Sequence, residues 1–488
     1  MTLGQALLAL SLTASTIHSG DPICIIGAGP AGLTVANRLQ VNGYKTVIFD
    51  ENAEVGGKCQ AYYDDQQLFH PLGALLYSNK TYVNTLPIIE ASGVPSVPFA
   101  YVDPLWIYDW TTGQTTESNT TLPQLTTTPQ FEEELERYTD FWNANFSSKA
   151  TVGYQSGVEG YTMSTLDWLE QNDYPLLLLL FLNGMVPYGY GDMRQTPILY
   201  MLTYFTPDIL RFFAGQSIGY VTDFHQVFVQ YAARNVTGGP IYLNSPVTEI
   251  YRQSGFPIIK YAANGTIASQ NCSKLVLAFP PVKSALDAAH LDFSDAEKAL
   301  FSPVGITKYW SGAVNVAIPD GIDLSGYVNM DFFTLVGEDL SGGNVSFVTF
   351  ASQLPKPAGE PVAILRLFNQ SSIATTYSWG KYRGQETIDE AKTTLMEVIS
   401  KLNKDPRDPS AAPIPLTDAD VRDFRQWDYF PHFDTAQLEE GYYEKLDKVQ
   451  GELNTYYASG LNGFETVEYA IRAGIDIADR IMALAPAV

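Results

Sequence analysis

The stretch from Ile23 to Asp50 constrains the fold more than any other part of the chain. Ile23-Cys24-Ile25-Ile26 is a continuous apolar run, the pattern of a strand buried on both faces of a parallel sheet. Gly27-Ala28-Gly29-Pro30-Ala31-Gly32 comes next, a GxGxxG. Leu33, Val35, Ala36 and Leu39 then recur with helical spacing, and Asn42-Gly43 stops the helix. Thr46 to Phe49 is a second apolar run and ends on Asp50. Strand, glycine turn, helix, strand and terminal acid in this order predict a dinucleotide-binding unit. Gly27 permits the tight turn, Gly29 lets backbone N–H groups approach a pyrophosphate, and Gly32 lets helix and strand pack closely. The helix N-terminus adds N–H donors and the positive end of its dipole. Asp50 is placed to accept hydrogen bonds from a ribose, with the adjacent Glu51 as the alternative.

The residues after the second strand select the nucleotide. Asp50 to Gly57, DENAEVGG, resembles the extended FAD fingerprint of the flavin amine oxidase superfamily. That resemblance implies that Gly56 and Gly57 lie along the pyrophosphate and that Lys58 lies near the cofactor. His70 to Ala74 resembles the next family segment, in which Gly73 and Ala74 pass close to the flavin. Ile241 to Ile250 resembles the adenine-side strand, with Val247 at the position that contacts adenine through its backbone. Leu275 to Pro281 resembles the strand that returns to the FAD domain, and Asn454 to Arg480 the last FAD segment, a strand and then a helix. One departure stands out: Ala458-Ser459-Gly460 lacks the acid that the family places there for a ribityl hydroxyl. Glu465 is nearby, and the backbone amides around Gly463 are the other candidates. The segment has no cysteine, which excludes a Cys-linked FAD at that position.

The resemblance implies an α/β fold: a Rossmann-like, amine oxidase type FAD-binding domain assembled from discontinuous segments, plus a substrate domain with a mixed sheet. The expected division is a signal peptide at 1–20, FAD-binding parts at 21–75, 235–285 and 441–488, and substrate-domain parts at 76–234 and 286–440. Phe131 to Trp142 and Glu386 to Asn403 carry helical periodicity, whereas Thr111 to Pro129 reads as a loop.

Gly56-Gly57-Lys58-Cys59, Pro187-Tyr188-Gly189-Tyr190-Gly191 and Trp427 to His432 resemble the FAD-dependent polyenoic fatty acid isomerases. Together with the leader and the glycosylation sequons, the same landmarks look like the fungal β-cyclopiazonate dehydrogenase family. The implied activity is dehydrogenation, with possible cyclisation, of an apolar secondary metabolite by hydride transfer to flavin N5. The alternatives are isomerisation of a polyunsaturated fatty acid and O2-dependent amine oxidation. Lys308 matches the family lysine that reaches the flavin through a water. It is the first catalytic candidate, and its competing reading is a surface lysine on a strand. Trp427 and Tyr429, with Phe430, match an aromatic segment near the ring and suit a flat apolar substrate, against ordinary core packing. His432 reads as structural, Cys59 as a buried inert thiol and Cys24 as core.

Composition narrows the setting. The 488 residues carry 29 Lys+Arg against 53 Asp+Glu, a net charge of −24, which disfavours nucleic acid as a partner. Three cysteines and five scattered histidines exclude a disulfide-dense scaffold and a Cys-rich metal site, so no metal is expected. Leu3 to Ala14 reads as the apolar region of a signal peptide, although no Lys or Arg precedes it. N-x-[ST] sequons begin at Asn79, Asn119, Asn145, Asn235, Asn264, Asn271, Asn344 and Asn369. Leader and sequons predict a glycoprotein of the secretory route, secreted or vacuolar. No apolar stretch is long enough for a membrane span: Leu176 to Leu182 is a short core segment. Gly215-Gln216-Ser217-Ile218-Gly219 imitates a hydrolase nucleophile motif, which requires a strand before it and a helix after; the preceding Ile209 to Ala214 fits strand or helix. Substrate identity, electron acceptor and oligomeric state are not specified at this level.

Overall fold

Ile23–Ile26 becomes the middle strand of a five-stranded sheet because every residue in it is buried on both faces. In the computed structural model, residues 20–99, 105–109, 113, 115–117, 126–185, 187–253, 255–319, 322–327 and 359–484 are described. The leader up to residue 19, the sequons at Asn119 and Asn344, and parts of the 111–129 loop lie outside them. The sheet order is Ile241–Tyr242, Thr46–Phe49, Ile23–Ile26, Lys274–Leu277, Thr455–Tyr457, and all four pairings are parallel. Strands far apart in sequence therefore lie side by side. The first helix, Pro30–Val41, packs on the C-terminal helix, Val467–Leu484. Gly474 permits this, since a Cβ there would sit 2.6 Å from the Ala31 carbonyl oxygen.

Two further ties hold this unit together. Cys24 forms a disulfide with Cys272, 248 residues away, so the core cysteine of the first strand is also a covalent staple. Arg252 is fully buried and pairs with Glu297 through Nη1 at 2.6 Å and Nη2 at 2.7 Å. Its Nε donates to Asp292 at 2.7 Å, and Tyr457 Oη donates to Glu297 at 2.5 Å. Glu297, Asp292 and the Asp292 carbonyl accept from this guanidinium, the condition under which a buried ion cluster is tolerated.

The second unit is built on a seven-stranded sheet. Its order is Val421–His432, Gly305–Asn315, Ile373–Tyr382, Pro361–Leu365, Asp323–Tyr327, Leu105–Asp109, Thr115–Glu117. All pairings are antiparallel except Asp323–Tyr327 with Leu105–Asp109, so the sheet is mixed. The two periodic segments are helices over Pro129–Phe141 and Ile388–Leu402. Thr128 caps the first, and Thr387 with Glu390 closes a capping box on the second.

The segment before the GxSxG resolves to a helix, Pro207–Phe213, and the strand Gly219–Thr222 comes after it. This is the reverse of a nucleophile elbow. Ser217 Oγ donates to the Asp208 carbonyl at 3.2 Å, so the motif is a helix-to-strand turn.

Candidate active site

A cavity of about 790 Å³ runs from the glycine turn of the first unit to the sheet of the second. Its volume falls in the range of small-molecule and cofactor sites. At one end Gly29 caps the first helix without a side-chain bond, which leaves the helix N-terminus open to the cavity. Gly57, at φ +54°, comes so close that a Cβ on it would lie 3.0 Å from the Gly29 Cα. Gly56 N–H donates to the Ala28 carbonyl at 2.9 Å and locks the two loops together. Gly27, Gly29, Asp50, Glu51, Gly57, Lys58, Gly73, Ala74 and Val247 all line the cavity. Gly32 and Gly56 do not line it and serve packing: a Cβ on Gly32 would meet the Gly27 carbonyl oxygen at 2.0 Å.

Asp50 accepts from Ala28 N at 2.6 Å and from Asn52 N and Nδ2 at 2.8 and 2.9 Å. A carboxylate offers roughly four acceptor sites, so one remains for a ribose. Glu51 is exposed at the rim. Gly463 lies outside the wall, and its carbonyl accepts from Tyr154 Oη at 2.7 Å. Ser459, Gly460, Glu465, Thr466 and Val467 line the cavity in its place, at the start of the C-terminal helix.

The other end is a box of rings. Tyr429 stacks on Tyr309 at 4.8 Å and on Tyr190 at 5.8 Å, and Tyr309 stacks on Tyr377 at 5.8 Å. Three of their hydroxyls are tied to backbone: Tyr309 Oη donates to the Pro187 carbonyl, Tyr377 Oη to that of Pro71 and Tyr190 Oη to that of Glu465. Burial pushes all four phenols upward, so they stay neutral and offer ring faces to a ligand. Gly189, at φ +74°, is what lets the Pro187-to-Gly191 turn lie against them, because a Cβ there would meet Tyr309 Cδ2 at 2.4 Å. Trp427 Nε1 donates to the Leu72 carbonyl at 3.0 Å and to Ser311 Oγ at 2.9 Å, which fixes its ring in the wall.

Among the described residues two lysines line the cavity, and both are ion-paired. Lys308 Nζ meets Asp428 at 2.9 Å, from the directly opposed position on the neighbouring strand. Lys58 Nζ meets Glu465 at 3.0 Å and stands 5.6 Å from the centroid of the Tyr429 ring. Asp428 lies inside the Trp427-to-His432 segment, but its pairing with Lys308, like the places of Tyr309 and Tyr377, comes only from strand register. Cys59 is buried, and burial with the nearby Glu465 pushes its thiol upward, which keeps it protonated. His432 is buried against Phe430 at 4.3 Å, and desolvation lowers it to about 4, so it is a neutral packing group.

These features fit a dinucleotide with an aromatic ring at one end: a glycine cradle at a helix N-terminus, an acid beside it and a ring-lined chamber beyond. Comparison with known proteins agrees at the level of fold. Residues 25–86 match the NAD(P)-binding Rossmann-like domain. Solved structures of the FAD amine oxidase type share the architecture. The chain is similar to a CLA-producing fatty acid isomerase from P. acnes, with a TM-score of 0.73 and 19% identity over 95% of this chain and 99% of that one. It is also similar to putrescine oxidase bound to putrescine, with a TM-score of 0.59 and 16% identity over the same shares.

Among curated relatives, an uncharacterized protein of Acanthamoeba polyphaga mimivirus is 24% identical over 94% of both chains. The FAD-dependent oxidoreductase dpchF of Colletotrichum higginsianum is 21% identical over 93% of this chain and 91% of that one. The β-cyclopiazonate dehydrogenase of Aspergillus oryzae is 25% identical over 69% and 71%.

Proposed function

We propose that this protein dehydrogenates an uncharged, apolar small molecule, a secondary-metabolite type of substrate, on the aromatic face of the cavity. It is an enzyme, an FAD-dependent oxidoreductase. The observation that carries the substrate reading is the pairing of charges in the wall: Lys58 with Glu465 and Lys308 with Asp428. Neither lysine is free to neutralise a carboxylate, whereas ring faces dominate the chamber. The relatives named FAD-dependent oxidoreductase dpchF and β-cyclopiazonate dehydrogenase support the dehydrogenation part of this reading. When bound, FAD supplies hydride acceptance. The chain's own residues do the rest. Gly29, Gly57 and the first helix hold the pyrophosphate, and Asp50 holds the ribose. Tyr190, Tyr309 and Tyr429 orient a flat substrate and exclude water. Lys308 holds a proton at Nζ, positioned by Asp428.

A secretory location belongs to this proposal. Asn79, Asn145, Asn264 and Asn369 are exposed, as glycan acceptors must be, and the Cys24–Cys272 disulfide suits an oxidising compartment. No described helix is long and apolar enough to cross a membrane.

The test is anaerobic. Purified holoprotein is mixed with uncharged polycyclic aromatic compounds and, separately, with polyunsaturated fatty acids, and the flavin absorbance is followed. Lasting bleaching by the uncharged aromatic class supports dehydrogenation. Turnover of the fatty acid with the flavin oxidised at the end assigns the isomerase reading instead, and rapid bleaching by simple amines assigns amine oxidation.

A further inference from the structure

Glu465 stands where the cavity wall passes from the glycine cradle to the ring box. Its Oε1 accepts from Lys58 Nζ at 3.0 Å, while its Oε2 is buried and has no hydrogen-bond partner among the described residues. The residue is held on both sides. Its own backbone carbonyl accepts from Tyr190 Oη at 3.1 Å, and the C-terminal helix begins two residues later. Gly460 makes room for it, since a Cβ there would meet Glu465 Oε2 at 2.8 Å.

The other acids of the wall are already engaged or peripheral. Asp50 takes three protein donors. Asp208 takes Ser78 and Lys80, and Asp428 takes Lys308. Glu51 lies at the exposed rim. A buried carboxylate oxygen without a donor is costly, so a ligand that donates to it is strongly favoured.

We propose that Glu465 accepts a hydrogen bond from the flavin end of FAD, from a ribityl hydroxyl or the ring N–H. It thereby takes the place of the acid that Ala458-Ser459-Gly460 lacks. Lys58 holds the carboxylate in position and keeps its second oxygen turned to the ligand. This inference rests on the FAD reading above.

Calorimetric titration of the apoprotein tests it, with FAD, 3-methyl-FAD and ADP as probes. ADP reaches only the Gly29–Gly57 end, so it reports an intact cradle. Glu465→Ala weakens FAD by about tenfold or more, the worth of a hydrogen bond to a charged acceptor, and leaves ADP affinity unchanged. Glu465→Gln, which keeps an acceptor oxygen, recovers part of the loss. In the wild type, equal affinity for 3-methyl-FAD and FAD assigns the ribityl hydroxyl as donor, and a clear loss assigns the ring N–H. Unchanged FAD affinity in Glu465→Ala overturns the proposal, as does an equal loss for FAD and ADP. A wild-type protein that binds ADP but no FAD overturns the FAD reading itself.

Discussion

Single residues decide whether the ring box exists. Gly189 is legible in the sequence only as part of a glycine-rich turn; its contact with Tyr309 is not, because the partner lies on another element far along the chain. Gly189→Ala is expected to push Tyr309 aside and to strain a positive φ, costing about 1–3 kcal/mol of stability. Thermal unfolding together with substrate turnover checks this, and both should fall. Lys308 is legible as a candidate, but its partner is not. A lysine's chemistry depends on what faces it, and Asp428 faces it only through strand register. Lys308→Met is expected to slow re-oxidation of the reduced holoenzyme by dioxygen, read by stopped-flow absorbance. Unchanged kinetics would remove Lys308 from that step. Trp427, Tyr429 and Phe430 are legible as an aromatic run. The structure divides them: Trp427 and Tyr429 line the cavity and Phe430 is core.

Elements are joined by polar groups that no local pattern announces. Glu134, on the helix Pro129–Phe141, accepts from Leu176 N at 2.9 Å and Leu177 N at 2.8 Å and so caps the helix Leu177–Met185. Burial raises its carboxyl from 4.5 to about 7. The folded protein therefore holds this proton more tightly than the unfolded chain. Its stabilising contribution is complete below about 4.5, declines as pH rises towards about 7, and is absent above that. Glu134→Gln keeps the acceptor oxygen and removes the titration. The variant should lose less melting temperature than the wild type between the two ends of that window. An identical slope in both proteins would show that Glu134 does not titrate there. The helices themselves are legible, because amphipathic spacing and caps such as Thr387 with Glu390 are local.

At the scale of the whole molecule, the binding unit is closed by contacts between chain segments hundreds of residues apart. The Cys24–Cys272 disulfide staples the first strand to the run that precedes the strand Lys274–Leu277. Cys24→Ala or Cys272→Ala should lower stability by about 2–4 kcal/mol, and chemical denaturation of oxidised, reduced and variant protein checks it. If reduction leaves the midpoint unchanged, the bond is not a staple. Three cysteines in the composition argue against a disulfide scaffold, which is correct for a dense framework, yet composition has no means of pairing two thiols across the fold. By itself the sequence determined the nucleotide unit, because strand, glycine turn, helix and acid are consecutive and each obeys a local steric or dipolar rule. It also marked Gly57, Gly73 and Ala74, which the fold brings into the cavity wall, whereas Gly56 packs behind it. Only the tertiary structure decided the chemistry of the chamber: the pairing of Lys308 with Asp428 and Lys58 with Glu465, the stacking of Tyr190, Tyr309 and Tyr429, and the unpartnered oxygen of Glu465. Those are interactions between distant segments, and their energies depend on burial and direction, which spacing along a chain does not encode.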